Sequence, residues 1–259
     1  MHNTHSLQES GSFLPLFLAI IFLATLPYVA AVLSSNRHYR KWPAYRIIFW
    51  WLGVISAAAA LVGPLAEQAH GDFRMHMAVH LLLGMLAPLL IASSCPLTLL
   101  LRTLNTAAAR RVTALLKSWP LRFLSHPATA ATLNIGGLYA LYMTGLFHLM
   151  HDSALFYALV HLHIFLVGYL LTVSLVYFDV TPHRHGYLYR SIVLIFALAG
   201  HKVLAKLLYA NPPAGLSRAE AEAGAMLMYY GGDVVDAFLI FFLCYHWYKS
   251  TAPRRIPAA

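Results

Sequence analysis

Residues 74–92 read RMHMAVHLLLGMLAPLLIA, a segment that opens with Arg74, Met75, His76, Met77 and His80 and then runs on without a charge. A stretch this apolar, about 20 residues long, is what one helix needs to cross a bilayer. Working outward, that run extends over 75–101, and six others of similar character fall near 12–33, 44–64, 128–149, 155–178, 189–210 and 224–248. The pattern predicts an all-α, polytopic membrane protein of seven transmembrane helices, with residues 1–259 forming a single domain.

Composition agrees: 60% of the 259 residues are hydrophobic and 10% charged, whereas a soluble domain carries roughly a quarter charged residues. The net charge of +9 does not indicate nucleic acid, because that reading needs a basic face on a soluble surface. Membrane topology accounts for it instead. The loop SSNRHYRKWP together with Arg46, the loop holding Arg102, Arg110, Arg111, Lys117 and Arg122, and the tail with Lys249, Arg254 and Arg255 all fall on one side of a seven-helix arrangement. The other side holds Arg74 and Arg218 against six acidic residues, Glu9, Glu67, Asp72, Asp152, Glu220 and Glu222. The positive-inside rule then puts the N-terminus outside and the C-terminus in the cytoplasm. Trp42, Tyr45, Trp50 and Trp51 at one inner edge, and Tyr245, Trp247 and Tyr248 at another, fit an aromatic belt. The opening MHNTHSLQES has no Lys or Arg, and no small-residue cleavage pattern follows, so no signal peptide is expected and the first run is expected to stay in the membrane. Within the long inner loop, residues 106–119 set Val112, Leu115, Leu116 and Trp119 against Arg110, Arg111 and Lys117, which predicts a short helix lying on the membrane surface.

Fifteen histidines is a high number for so apolar a chain, and most fall in the outer half. His76 and His80 share one helix face, because residues four apart stack. His148 closes the fourth helix, with His151 just past it. His161 lies about 9 Å down the fifth helix and His201 about 13 Å from the outer end of the sixth, at 1.5 Å per residue, and Asp233 on the seventh is level with His201. Ionisable groups at such depth are costly unless paired or functional. His76, His80, His148, His161 and His201 converge from four helices and are the candidate metal ligands. Met77, His151, Asp233 and Tyr157 are candidates for the same site or its surroundings, Asp233 by orienting the His201 ring. Lys202 and Asp236 are expected to form an ion pair tying helices six and seven together. His163, about 200° around the helix from His161, is read as separate, and His183 and His185 as solvated in the inner loop.

Imidazole binds copper, zinc, iron and nickel, and methionine thioether adds a preference for Cu(I). Cys95 and Cys244 lie at the inner ends of their helices, away from the histidines, and read as small buried hydrophobes. A thiol-free site suits copper facing an oxidising compartment. Three other chemistries use similar parts: a bis-histidine haem site, a zinc hydrolase with an aspartate base, and a proton or ion relay of His, Asp and Lys. No phosphate-binding loop, nucleophile elbow or HExxH motif appears.

The segments HMAVHLLLGMLAPLLIASSCPLTLLLR, RFLSHP, LFHLMHDSALFYALVH, AGHKVLAKLLYA and GAMLMYYGGDVVDAFLI, in this order over residues 65–248, resemble the CtaG-type cytochrome c oxidase assembly factors, seven-helix bacterial membrane proteins of haem-copper oxidase biogenesis. The resemblance implies that His76, His80, His148, His161 and His201 match histidines of that family. Two positions depart from it: Val79 stands where the family has Gln, and Tyr157 where it has a further histidine. Together the readings lead us to expect a non-enzymatic protein of the bacterial inner membrane. It would hold copper, as Cu(I), on the periplasmic or extracellular side and help deliver it to the oxidase. Its partners would be copper, oxidase subunits or periplasmic copper chaperones, and the lipid membrane. A zinc-dependent membrane hydrolase is the main alternative.

Overall fold

The computed structural model describes residues 3–213 and 215–252, with side chains from residue 13 onward except that of His151. Its helices are α1 (Asn3–His38), α2 (Ala44–Leu61), α3 (Pro64–Gln68), α4 (Phe73–Leu81), α5 (Ala87–Ser93), α6 (Pro96–Thr103), α7 (Thr106–Leu116), α8 (Trp119–Leu124), α9 (Pro127–Met143), α10 (Leu146–Asp152), α11 (Ala154–Leu175), α12 (Tyr187–Ala210) and α13 (Arg218–Thr251). A π-helical turn, Leu82–Leu86, joins α4 to α5. There is no strand among the described residues.

The run expected as one helix over 75–101 is thus four pieces, each with a local cause. Asp72 starts α4, its side chain accepting from the backbone N–H groups of Arg74 at 2.7 Å and Met75 at 3.4 Å. Pro88 has no N–H to offer the carbonyl four residues back, and its ring crowds that carbonyl, which belongs to Gly84. The helix answers by widening, so that Ala87 N–H reaches Leu82 O. The displaced Gly84 carbonyl meets α11, where a β-carbon on Gly168 would lie 2.0 Å from its oxygen. Only glycine fits there. At the far end Cys95 turns the chain with φ 56°, and Pro96 opens α6, the helix position where a missing N–H costs nothing.

Other boundaries moved for similar reasons. The expected helix over 128–149 divides into α9 and α10 at Thr144–Gly145. The last helix begins at Arg218 rather than 224, because Ser217 and Glu220 form a reciprocal capping box. The surface helix expected near 106–119 is two short helices, α7 and α8. Asn105 caps the first by accepting from Ala108 N–H at 2.8 Å, and neither buries a residue.

Among the described residues, six stretches are long and apolar enough to cross a membrane: Phe13–His38, α2, Phe73–Ser93, α11, α12 and α13. The α9 helix has 17 residues. Around the α4–α5 rod, α13 packs on α4, α2 on α5 and α11 on the π turn, while α9 closes against α11 and α12. The outward faces are greasy: α12 exposes Leu188, Ile192, Ile195, Phe196 and Val203. A soluble protein would not leave so large an apolar surface to water. The chain is a multi-pass helical membrane protein.

The bundle has two chemically distinct ends. One carries α3, α10 and the starts of α4, α11 and α13. The other carries α6, α7, α8 and the 176–186 loop, where Asp179 accepts from Leu97 N–H at 2.7 Å and Thr98 N–H at 2.8 Å and so caps α6. There too Arg190, 2% exposed, donates to the Leu175 carbonyl at 2.6 Å between the rings of Tyr177 and Tyr187, 4.1 and 4.3 Å away. Cys95 is buried beside the Phe178 carbonyl, but Cys244, expected to be buried, is exposed. On a helix with bilayer on one side, an apolar thiol gains as much from facing lipid as from the core.

Candidate functional site

His76 and His80 lie one turn apart on α4, each 4% exposed. His76 is engaged: its Nε2 hydrogen-bonds with the Tyr142 hydroxyl of α9 at 3.0 Å, and the rings of Phe73 and Phe147 pack around it. His80 is different. Neither of its ring nitrogens has a hydrogen-bond partner, and the same holds for His201 on α12. The two rings lie 5.9 Å apart and 20° from parallel. His201 reaches this position because Gly232 of α13 leaves room, a β-carbon there standing 2.8 Å from its Cε1.

A buried polar group without a partner costs about 1–3 kcal/mol. Four such nitrogens on two stacked rings are therefore the most conspicuous unpaired feature among the described residues. They border a small cavity of about 40 Å³, walled mostly by apolar side chains but also by Asn134, Thr172 and Asp236, well above the ~10–15 Å³ that one water molecule requires.

His161, 4% exposed on α11, donates from Nδ1 to the Tyr157 carbonyl at 2.8 Å, which sets the tautomer with the lone pair on Nε2. Tyr157 lies against it with ring centroids 3.9 Å apart and stacks on its other side against His70 at 5.0 Å. His76, His161 and His201 are the ionisable neighbours of His80. Four of the five expected histidines thus gather in the bundle interior.

His148 does not join them. It is exposed and lines a surface pocket with His70, Asp72 and Gly215, because the break at Thr144–Gly145 redirects α10. His163 is exposed beside Gly137. Met77 is wholly buried in the apolar cluster that holds Leu204, Leu208 and Met228, so its thioether packs. The side chain of His151 lies outside the described residues. Among the described residues no three His, Cys, Asp or Glu side chains stand close enough together to grip one ion.

The lysine pairing differs from the one expected. Lys202 pairs with Asp233, not Asp236, and also lies 4.7 Å from the Tyr229 ring. Asp236, 5% exposed, faces the cavity with Oδ2 unpartnered. The two positions are only about 60° apart around α13, so a modest rotation of the helix decides which one meets the lysine.

The reading of the sequence missed His70, Tyr142 and Asn134. Asn134 carried a usable signal, a lone amide within an apolar helix. His70 sits in a turn where periodicity is silent.

The fold and site define a multi-pass helical membrane protein with a buried imidazole pair beside a small, largely apolar cavity. The chain belongs to the cytochrome c oxidase caa3 assembly factor (Caa3_CtaG) family, whose profile matches residues 26–250. It is also 32% identical over 178 residues to Uncharacterized protein ML1998 of Mycobacterium leprae. It is 33% identical over 180 residues to Uncharacterized protein Mb0105 of Mycobacterium bovis and Uncharacterized protein MT0111 of Mycobacterium tuberculosis. Each match covers 66% of this chain and 27% of the relative, so the matched part spans about a quarter of the length of these curated proteins. No solved structure matches the chain.

Proposed function

We propose that this chain is a copper-binding assembly factor that holds Cu(I) at the His80–His201 pair and hands it to a haem-copper oxidase. The observation that carries the reading is that pair of buried imidazoles, bare on all four nitrogens, opening on a cavity that Met85 also lines. The donor chemistry fits: imidazole and thioether are copper ligands, the thioether selecting Cu(I), and two nitrogen donors suffice for a cuprous ion. His76 and His161, next to His80, form the route to it from the α3–α10 end. The oxidase and its copper chaperones are the partners, and the chain binds and delivers rather than catalyses.

In this reading α9 with α10 makes a seventh span. The α3–α10 end faces the periplasm or extracellular space, and the end rich in Arg102, Arg110, Arg111 and Lys117 faces the cytoplasm of a bacterial inner membrane. Metal analysis of protein purified without chelating resins tests the chemistry: copper is expected, whereas zinc with turnover of an ester or amide would support the hydrolase. Cysteines introduced at residues 70 and 115 test the topology. Residue 70 labels from outside intact cells, and outside labelling at 115 would invert the orientation.

A further inference from the structure

We infer that α7 and α8 form a docking surface for anionic phospholipids, on the leaflet beside the basic end of the bundle. The inference is independent of the copper reading, since it needs only that this end meets a bilayer surface.

The sequence has no Asp or Glu from residue 73 to 151. Within that stretch Arg110, Arg111, Lys117 and Arg122 are all exposed on or beside the two short helices. The ion pairs among the described residues are Lys202–Asp233 and Arg218–Glu222, so none of these four cations has a carboxylate. Asp179, the acid of this end, is spent on the α6 backbone. Apolar side chains accompany the charge. Trp119 is 75% exposed, Leu115 and Phe123 are exposed with it, and the Trp119 and Phe123 rings stack 5.8 Å apart. Neither helix buries a residue, so packing in the bundle does not account for these groups. On α7, Arg110 and Arg111 project about 170° away from Val112 and Leu116, at about 100° per residue. Cations on one side and apolar groups on the other make a helix that lies in the headgroup layer. The chain also holds the two helices near that level. Thr106 opens α7 three residues after Thr103 closes α6, and Pro127 opens α9 three residues after Leu124 closes α8, and three residues span about 10 Å at most. Apolar burial alone would accept any lipid, whereas a cluster of unpaired cations beside a membrane span selects anionic headgroups. An acidic protein segment would match the charge but leave Leu115, Trp119 and Phe123 in water.

The test is native mass spectrometry of the full-length protein in detergent, titrated with phosphatidylglycerol or phosphatidylcholine, beside thermal unfolding without lipid. The proteins are wild type, the fourfold variant Arg110→Gln, Arg111→Gln, Lys117→Gln, Arg122→Gln, the charge-keeping variant Arg110→Lys, Arg111→Lys, Arg122→Lys, and Arg74→Gln, which removes an exposed cation from the other end. Wild type should bind phosphatidylglycerol at least about tenfold more tightly than phosphatidylcholine, a preference built from roughly fivefold per cation or less. The fourfold variant should lose that preference with its lipid-free unfolding temperature unchanged, while the charge-keeping variant and Arg74→Gln should keep it. In vesicles of brominated phosphatidylglycerol, tryptophan emission should be quenched more in wild type than in Trp119→Phe. Equal affinity of wild type for the two lipids, a preference that survives in the fourfold variant, a loss matched by lower lipid-free stability, or equal quenching would overturn the inference. Cation-dependent binding of polyglutamate without any preference for phosphatidylglycerol would overturn it too, and assign the surface to an acidic protein segment.

Discussion

At the end of the bundle that carries α6 and the 176–186 loop, the costly polar groups hold backbone. Asp179 caps α6, and Arg190 closes the C-terminus of α11 between two tyrosine rings. Toward the other end, His80 and His201 hold nothing, each bare on both nitrogens, and Asp236 is bare on one oxygen. Both regions bury polar atoms and both leave some without a partner, Arg190 Nε and His183 Nε2 among them, but Asp179 and Arg190 also hold backbone, whereas His80 and His201 make no hydrogen bond. Unsatisfied groups persist when something other than the resting structure has selected them. Substitutions should therefore separate the regions: one should lose stability where the other loses binding.

The largest effect belongs to the contact that supports the cavity from below. Gly168→Ala forces a β-carbon into the Gly84 carbonyl, so α11 must leave the π turn. A loss of about 3 kcal/mol or more is expected, seen as a sharply lower unfolding temperature in detergent. A tolerated Gly168→Ala would mean the π turn does not brace the site.

The next pair sets the two regions side by side. Arg190→Met strands the Leu175 carbonyl and removes two ring contacts, which should cost about 2 kcal/mol. His80→Leu removes two unsatisfied nitrogens and should change stability by less than about 1 kcal/mol, or raise it, although copper binding is lost. Equal destabilisation by both would erase the distinction.

The smallest effect is a pH dependence confined to the basic end. Burial, reinforced by nearby His126, Arg190, His183 and Arg122, holds the His185 imidazole below its ordinary value of 6.5. Folding therefore favours neutral His185. Its contribution is fully present above the unfolded value and is lost as pH falls below 6.5 toward the folded one, where the unfolded chain binds the extra proton first. His185→Gln should flatten the slope of unfolding temperature with pH between about 6.5 and 5. An unchanged slope would place that dependence elsewhere.

Much of this architecture is legible from residue order. Apolar length locates the spans, and the i, i+4 spacing of His76 and His80 puts them on one face of α4, as found. Local covalent effects were harder to foresee: Pro88 opens a π turn against Gly84, and Gly145 turns α10 so that His148 leaves the group. Ser217 and Glu220 form a capping box that the expected start near 224 passed over. The division of labour between Asp233 and Asp236 was not legible, because one turn of helix separates them and its rotation is set by packing against α4 and α12 rather than by neighbours in sequence. Partnerlessness, the property that distinguishes His80 from His76, exists only once helices are assembled.

The most direct measurement is anaerobic Cu(I) titration of wild type beside the His80→Ala, His201→Ala double variant, both full-length, purified and shown by circular dichroism to be helical. The account predicts one Cu(I) per wild-type chain and at least a hundredfold weaker binding in the variant, about 2.7 kcal/mol at 1.36 kcal/mol per tenfold. Equal Cu(I) affinity in the two proteins would contradict it.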